Sequence, residues 1–265
     1  MSLIAALEFP TIDEIVRFRP FAFKGAGGDF GTFSLNKIGL ECLIAAALTL
    51  LIFVVAGAKK RLVPKGIQNV AESGIDFVKT GIIDQTMGHG PEGAAWLPYL
   101  VTLFFFIFFC NLFEVIPVFQ MPATARMAIP LFLALFTYVL FIVTGVVKQG
   151  PKYFKEALFP PGVPPALYIL VTPIELLSTF VVRPFSLAVR LFANTLAGHI
   201  LLVTFTVLAN TLVFADSAIL KPVAVFPFIM LVLMTGFELM VAFLQAYIFT
   251  ILTAVYIGGA MHPEH

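Results

Sequence analysis

The chain has 265 residues, of which 60% are hydrophobic and only 12% are charged, whereas a soluble globular domain carries about 25% charged residues. This composition excludes an ordinary soluble domain and predicts an integral membrane protein. The formal net charge of +1 leaves no large basic or acidic surface, so we predict no nucleic-acid partner.

The first segment, residues 1–37, precedes the apolar part of the chain and mixes four acidic with four basic side chains. It has no apolar core between a basic start and a small-residue cleavage site, so no cleaved signal peptide is predicted. We expect this segment to lie outside the membrane as part of one domain that covers residues 1–265.

Five apolar segments then follow that are long enough to cross a bilayer as a helix, which takes about 20 residues. Three have ordinary lengths and two are much longer, and in chain order they cover residues 38–57, 97–117, 127–147, 166–206 and 222–258. The pattern predicts an all-α membrane protein with five transmembrane helices.

The two long segments would each exceed ~50 Å as straight helices, because an α-helix rises ~1.5 Å per residue. They must therefore tilt strongly or bend, and Pro173, Pro184 and Pro227 offer places to bend. We predict that these last two helices form a long, strongly tilted antiparallel hairpin.

An amphipathic helix is predicted over residues 65–86, between the first two spans. Apolar residues recur there at helical spacing, while polar residues take the other side; the apolar set is Ile67, Val70, Gly74, Ile75, Val78 and Ile82. Such a helix lies on the membrane surface, where it either caps the bundle or docks a partner.

Lysine and arginine are concentrated in two loops, after the first and third spans, which predicts that these loops are cytoplasmic. The first loop has Lys59, Lys60, Arg61, Lys65 and Lys79, and the other has Lys148, Lys152 and Lys155. With five spans, the N-terminus is then outside and the C-terminus is cytoplasmic.

Neither a metal site nor a cofactor site is predicted. Cys42 and Cys110 lie within apolar segments, where we interpret them as small hydrophobic residues. The glycine-rich stretch near residue 27 fits no dinucleotide or P-loop pattern, and metalloprotease and nucleophile-elbow motifs are missing.

Ionisable residues within the long segments point to function, because a charge at the bilayer centre is costly and usually faces a partner or a watery cavity. Arg183 precedes Pro184 in the first half of its helix and can extend its side chain toward the cytoplasmic face. Arg190 sits deeper, with apolar turns on both sides, and is the stronger candidate for a functional charge.

Helical spacing relates these polar residues to one another. At ~100° per residue, Arg190 and Asn194 share a face, Glu238 and Gln245 nearly coincide in direction, and His199 lies ~180° from Arg190. In an antiparallel hairpin, residues at equal depth have numbers with a constant sum. Arg190 with Gln245 gives 435 and His199 with Glu238 gives 437, so both pairs predict one register.

This arrangement suits proton transfer that stops at a fixed charge. A histidine and a glutamate in contact can pass a proton at physiological pH, whereas arginine cannot, because its pKa exceeds about 12. The arginine can attract a carboxylate on a moving partner, by about 4 kcal/mol at ~4 Å when the effective dielectric constant is about 20.

Three stretches resemble the a subunit of F-type ATP synthases. RPFSLAVRLFANTLAGH (183–199) is similar to the signature around its essential arginine, and FLQAYIFTILTAVYI (243–257) to its final helix. NLFEVIP (111–117) resembles the end of its second span. The five-span layout agrees along essentially the whole chain.

The resemblance implies a stator subunit of the membrane sector, which carries protons through two half-channels past a rotating ring of c subunits. Arg190 matches the essential arginine, which faces the ring carboxylate and prevents a proton leak. The resemblance likewise implies that Asn194 and Gln245 flank the arginine. It also implies that His199 and Glu238 line the inlet half-channel. Well-known bacterial members place the acid and the histidine in the opposite order, so the direction of proton transfer between the two stays open.

Three further residues are weaker candidates: Asn111 and Glu114 for the inlet side, and Glu175 for the outlet side. The implied partners are the c ring, b-type peripheral stalk subunits and the rest of the ATP synthase, in the plasma (inner) membrane of a bacterium. The chain has no nucleotide motif, so it is expected not to be catalytic alone. A secondary ion transporter and a passive membrane scaffold remain alternatives, and the choice between H⁺ and Na⁺ stays open.

Overall fold

The computed structural model describes residues 37–58, 66–116, 122–159, 164, 167–214 and 220–261. Most of segment 1–37 and the basic residues Lys59, Lys60, Arg61 and Lys65 lie outside the described residues. So do residues 117–121 and residues 215–219, and the latter include the hairpin turn near residue 218 that the sums of 435 and 437 predict.

All regular elements of the described residues are helical. The main helices are α1 (Lys37–Ala58), α2 (Ile67–Val78), α3 (Pro91–Leu112), α4 (Ala128–Gln149), α5 (Lys152–Leu158), α6 (Tyr168–Leu177), α7 (Arg183–Val213) and α8 (Val225–Met261). Short pieces adjoin them: a π-helical turn Lys79–Ile83 and helix Asp84–Thr86 prolong α2, a π-helical turn Ser178–Val182 joins α6 to α7, Ala123–Ala125 precedes α4, and Leu220–Val223 precedes α8.

Five helical runs of the described residues are long and apolar enough to cross a membrane, which confirms the all-α membrane class. They are Lys37–Gly57, Pro91–Leu112, Ala128–Gln149, Tyr168–Val213 and Lys221–Met261. The last two run for 46 and 41 residues, about twice what a bilayer requires.

The second span begins and ends earlier than its hydropathy predicts, at Pro91 and Leu112 rather than at 97 and 117. Pro91 suits a first helical position, where its missing N–H costs nothing. At the other end the backbone N–H groups of Glu114 and Val115 donate to carbonyls only three residues back, at 3.1 Å each, which tightens the chain into a turn. Glu114 therefore lies beyond the helix.

The fourth run stays helical to Val213, seven residues past the predicted end at 206. Its later part is rich in threonine, which lowers the hydropathy. The hydroxyls of Thr204, Thr206 and Thr211 each donate to the carbonyl four residues back, at 2.7–2.8 Å, so the helix satisfies these polar groups internally.

Proline and the π-helical turn occur together in this run. Pro173 lies inside α6, Pro184 is the second residue of α7, and Ser178–Val182 is the wide turn between them. Proline cannot donate a backbone hydrogen bond and its ring crowds the preceding turn, and a wider turn accommodates both effects.

The described chain divides into two compact units. Unit 1 comprises residues 1–47, 108–126 and 192–244, and unit 2 comprises residues 48–107, 127–191 and 245–265. Four of the five divisions fall inside helices, namely α1, α3, α7 and α8.

Unit 1 contains a close contact between α7 and α8. A Cβ atom placed on Gly198 would overlap the carboxylate of Glu238. The numbers of these two residues sum to 436, between the sums of 435 and 437 for the predicted pairs. The contact thus has the register that the hairpin arithmetic predicts.

Unit 2 is organised around a cluster that joins α4, α5 and the end of α8. Its buried members are Phe141, Tyr153, Ile257, Ala260 and Met261. The Tyr153 ring packs directly on Gly145 of α4, and the side chain of Gln149 donates to the Ala260 carbonyl at 2.8 Å.

The amphipathic helix packs against α3, also within unit 2. The Phe105 ring touches Gly74, and the Phe77 and Phe104 ring centroids are 5.6 Å apart. The first turn is rotated relative to the predicted faces, because Ile67 and Val70 are exposed while Gln68 is buried. Gln68 tolerates burial because its amide donates to Glu72 at 2.8 Å.

Substitution of Gly74 by alanine is expected to destabilise this packing. The added Cβ would overlap Cζ of Phe105 and lie 2.8 Å from Cε2, and overpacking of this kind costs about 1–3 kcal/mol. The measurement is the melting temperature of the purified protein in detergent, which should fall.

Gly81→Ala is the matched control in the same helical run. Its Cβ would meet nothing closer than 3.8 Å, and replacing a helical glycine by alanine favours the helix by up to about 1 kcal/mol. Equal melting temperatures for the two variants would contradict the described packing of Gly74.

Candidate functional site

Arg190 lies on an open face of α7. Leu187, Ala188 and Leu191 are buried beside it, whereas Arg190, Ala193, Asn194 and Ala197 are all exposed. The exposed set follows the helical repeat, so a positive charge, an amide and two small side chains share one stripe. Helical spacing predicts that Arg190 and Asn194 share a face, and both are exposed on this one.

The guanidinium of Arg190 makes no hydrogen bond or ion pair with another described residue. Arg183, seven residues earlier on the same helix, instead lies over the Tyr256 ring, with Cζ 5.4 Å from the ring centroid. An aromatic face stabilises a cation locally. Of these two arginines, Arg183 has a partner within the described chain and Arg190 projects from it.

Gln245 is buried in α8, with only 2% of its surface exposed. It belongs to a buried face that continues through Phe249, Thr250 and Thr253. Arg190 and Gln245 both belong to unit 2, but one side chain is exposed and the other is enclosed. The structure therefore does not place the two side chains on one open surface.

His199, Glu238, Asn111 and Glu114 are all buried and all belong to unit 1. The carboxylate of Glu238 packs on Gly198, the neighbour of His199, and it lies within electrostatic range of the Glu114 carboxyl. Among the described residues, His199 and Glu238 form no direct hydrogen bond or ion pair. The structure thus brings four predicted inlet residues into one unit without joining His199 to Glu238 directly.

Asn111 anchors the turn that follows α3. Its side-chain oxygen accepts a 2.5 Å hydrogen bond from the Thr124 hydroxyl, and its backbone carbonyl accepts one from the Glu114 N–H at 3.1 Å. Asn111 Nδ2 and Glu114 Oε1 are buried without a hydrogen-bond partner among the described residues. These two atoms are free to bond a transferring group or water.

The Glu114 carboxyl lies two residues beyond the span that ends at Leu112. Burial, and next the nearby Glu238 carboxyl, raise the pKa of Glu114 to about 8. A carboxyl with such a pKa is mostly protonated at neutral pH and can both release and regain its proton there.

Glu175 lies on α6 in unit 2 and is partly exposed. Its backbone carbonyl accepts a hydrogen bond from the Ser178 N–H at the start of the π-helical turn. Its carboxylate makes no hydrogen bond or ion pair to a described residue. In the described chain, the position of Glu175 is set by the backbone alone.

Glu41 is a buried carboxyl that was not singled out from the sequence. It lies in α1 within unit 1, near Lys37, Cys42 and Cys110. The signal was present, because Glu41 is the single charged residue in the predicted first span, 38–57. A charge within a membrane span usually faces a partner or a watery cavity, and this applies to Glu41 as it does to Arg190.

The two cysteines are free thiols in hydrogen-bonding contact, Cys42 on α1 and Cys110 on α3. No group of three His, Cys, Asp or Glu side chains within the described ranges is arranged to hold a metal ion.

Comparison with known proteins identifies the family. The family model for the ATP synthase A chain matches residues 40–258. ATP synthase subunit a of Frankia alni is 45% identical over 237 residues, which cover 87% of this chain and 79% of the relative. The Rhodococcus erythropolis protein of that name is 40% identical over 267 residues, covering 100% and 94%. The Hyphomonas neptunium protein is 41% identical over 223 residues, covering 84% and 85%. On this match, and with five helices fit to cross a membrane, the chain belongs to the ATP synthase A chain family.

Proposed function

We propose that this chain is the proton-translocating stator subunit of an ATP synthase membrane sector. It forms inlet and outlet half-channels against a rotating ring of c subunits, and it couples proton flow to rotation and ATP synthesis. The observation that carries the proposal is Arg190, a permanent charge exposed on an apolar helix without an ion pair to any described residue. Family membership supports the same role.

Arg190 attracts the carboxylate of each passing c subunit. At ~4 Å and an effective dielectric constant of about 20, the attraction is worth about 4 kcal/mol, which favours release of the ring proton. The arginine keeps its own proton, so protons cannot pass directly from one half-channel to the other. Ala193 and Ala197 are small, so a ring helix can approach this face closely.

The remaining polar residues divide between this contact and the two half-channels. Asn194 shares the open face with Arg190, and Gln245 is enclosed in α8. His199, Glu238, Asn111 and Glu114 form the inlet side, since all four are buried within one unit and two of them have unused hydrogen-bonding capacity. Glu175, partly exposed on α6, serves the outlet side.

The chain acts as one membrane domain over residues 1–265, in a bacterial plasma membrane, with its N-terminal segment 1–37 outside and its C-terminus cytoplasmic. The excess of lysine after the first and third spans supports this orientation. Its partners are the c ring and b-type peripheral stalk subunits. It is not catalytic alone, because ATP forms elsewhere in the complex, and each proton supplies ~2.3 kcal/mol per 100 mV.

Replacement of Arg190 by alanine is expected to abolish ATP-driven proton pumping in membrane vesicles while the complex stays assembled. The reason is that the ring carboxylate loses the charge that holds it ionised, and the barrier to a leak is lost. Pumping is measured by quenching of a pH-sensitive dye, and assembly by copurification with the ring.

Arg183→Ala is the matched control, because it removes the same charge from the same helix. Arg183 rests on Tyr256 inside the described chain, so its variant should keep most of the pumping. Full pumping by Arg190→Ala would refute the assigned role and favour a secondary ion transporter. Loss of the assembled complex would favour a passive scaffold.

Gly198→Ala is expected to impair pumping as strongly as Glu238→Gln or His199→Gln, although it removes no polar group. The alanine Cβ would overlap the Glu238 carboxylate and displace it. Gly236→Ala, on the same helix as Glu238, meets no atom within 4 Å and should pump normally. If neutralising His199 and Glu238 separately left pumping unchanged, neither residue would lie on the path.

Glu114→Gln is expected to change how proton conduction depends on the pH of the medium at the inlet. Glu114 holds its proton below about pH 8 and loses it above, so uptake by the unmodified protein should decline as the pH rises from about 7 to about 9. The glutamine stays neutral throughout, so the variant should conduct several-fold less at about pH 7 and lack that decline. Glu92→Gln, which removes a half-exposed carboxylate paired with Lys148 at 2.8 Å, should keep the pH dependence of the unmodified protein. If Glu114→Gln also kept that pH dependence, Glu114 would be excluded from the inlet path.

A further inference from the structure

Glu41 is enclosed completely in α1, with 0% of its surface exposed. Both of its carboxylate oxygens lack a hydrogen-bond partner in the described part of the chain. An isolated carboxylate is too costly to bury without compensation, so a glutamate at such a site is either protonated or in contact with water. We infer that Glu41 is a further proton-carrying group of the inlet half-channel, an inference that rests on the proposed function.

The neighbours of Glu41 place it with the other inlet residues. Lys37, one turn earlier on α1, is within electrostatic range of both the Glu41 carboxylate and the His199 imidazole. On α3, Glu41 interacts electrostatically with the Cys110 thiol, which immediately precedes Asn111. Glu41 therefore lies near residues that also neighbour His199 and Asn111, all within unit 1.

The Cys42 and Cys110 thiols lie beside each other, and they are the sequence neighbours of Glu41 and Asn111. The two sulfur atoms are in hydrogen-bonding contact, so α1 and α3 are packed together at the residues adjacent to Glu41 and Asn111. A thiol is a weak hydrogen-bonding group and behaves largely as a small hydrophobic residue. The contact thus positions the carboxyl without giving it a strong partner.

Among the described residues of unit 1, buried side-chain atoms without a hydrogen-bond partner occur in three residues. Of the buried side-chain atoms without a hydrogen-bond partner in the described chain, those in unit 1 are Oε1 and Oε2 of Glu41, Nδ2 of Asn111 and Oε1 of Glu114. Buried polar atoms normally have a protein or water partner. Their concentration around the start of α1 and the end of α3 indicates a hydrated path along which a proton can move.

The chemistry of Glu41 in this path is a reversible proton exchange. Its carboxyl accepts a proton from the inlet water and releases it toward Asn111 and Glu114. It is restored to the same protonation state after each transfer, so no other reactant is consumed. Asn111 cannot hold the extra proton, but its amide can orient the water that passes it on.

The test measures passive proton conduction through the membrane sector of the whole ATP synthase, in vesicles stripped of the soluble part. Glu41→Gln keeps the size of the side chain but cannot carry a proton, and conduction should fall by about tenfold, less than the hundredfold or more that a positioned proton-transfer group can contribute. Glu41→Asp keeps the carboxyl and should recover most of the loss. Recovery by aspartate distinguishes proton transfer from a packing role, because aspartate fills the site less well than glutamine.

Two comparisons make the result decisive. Glu92→Gln removes a paired, half-exposed carboxylate elsewhere and should conduct normally, while Arg190→Ala reports on the proposed function itself. Normal conduction in Glu41→Gln, alongside loss of ATP-driven pumping in Arg190→Ala, would overturn the role of Glu41 and leave the proposed function intact. If Glu41→Gln lost the c ring on purification, the residue would be structural and the inference would fail.

Silver ions provide an independent measurement of access by water. In a Cys42→Ala, Cys110→Ala background, Ag⁺ should inhibit conduction by Glu41→Cys, because a cysteine on a hydrated path reacts as a thiolate. Leu43→Cys is the matched control, since Leu43 is 58% exposed on the apolar outside of the same helix. Insensitivity of Glu41→Cys to Ag⁺ would contradict a hydrated path at this position.

Discussion

A positive charge that cannot be released, held on an apolar helix, is the constraint on which the rest of this structure depends. Placing arginine at the centre of a membrane helix costs about 2.5–3.5 kcal/mol on insertion scales. Attraction to a nearby carboxylate is of similar size, about 4 kcal/mol at ~4 Å when the effective dielectric constant is about 20. In the proposed function, the carboxylate of a passing c subunit would compensate this cost by covering the face of Arg190.

The buried carboxyls of unit 1 show the opposite arrangement. A carboxylate that accepts several hydrogen bonds is held in its ionised form and carries protons poorly. Glu41 and Glu114 instead have oxygens without partners among the described residues, so neither protonation state is strongly favoured by local bonding. Incomplete hydrogen bonding reduces stability, but it suits groups that must change protonation state repeatedly. Gly198 supports the Glu238 carboxyl in another way, because the absence of a side chain at this position leaves room for that carboxylate.

Much of this architecture could be predicted from hydropathy and helical spacing. The five spans follow from apolar length, and the exposure of Arg190 with Asn194, opposite buried His199, follows from the angle between successive residues. The register of α7 and α8 follows from the sum of residue numbers, because antiparallel helices pair positions at equal depth. These features depend on regular geometry, which a sequence expresses directly.

Other features depend on local hydrogen bonds and on contacts between distant segments. Hydropathy extends the second span to residue 117. The helix α3 instead ends at Leu112, where backbone N–H groups begin to bond carbonyls three residues back. Gln68 is buried despite its polarity because Glu72 lies one turn away and accepts from it. The surroundings of Glu41 depend on the packing of α1 against α3 at Cys42 and Cys110, which no pattern within either segment reveals.

Among the described residues Arg190 has no partner, and this is what makes it useful in the proposed mechanism. Two other cations of the described chain are neutralised or stabilised locally: Lys148 pairs with Glu92, and Arg183 rests on Tyr256. An internal carboxylate beside Arg190 would compete with the carboxylate of a passing c subunit and weaken the attraction that drives proton release. Strong attraction of the c-subunit carboxylate thus requires a fixed positive charge without a competing internal carboxylate. Because arginine keeps its own proton, other residues must carry the protons.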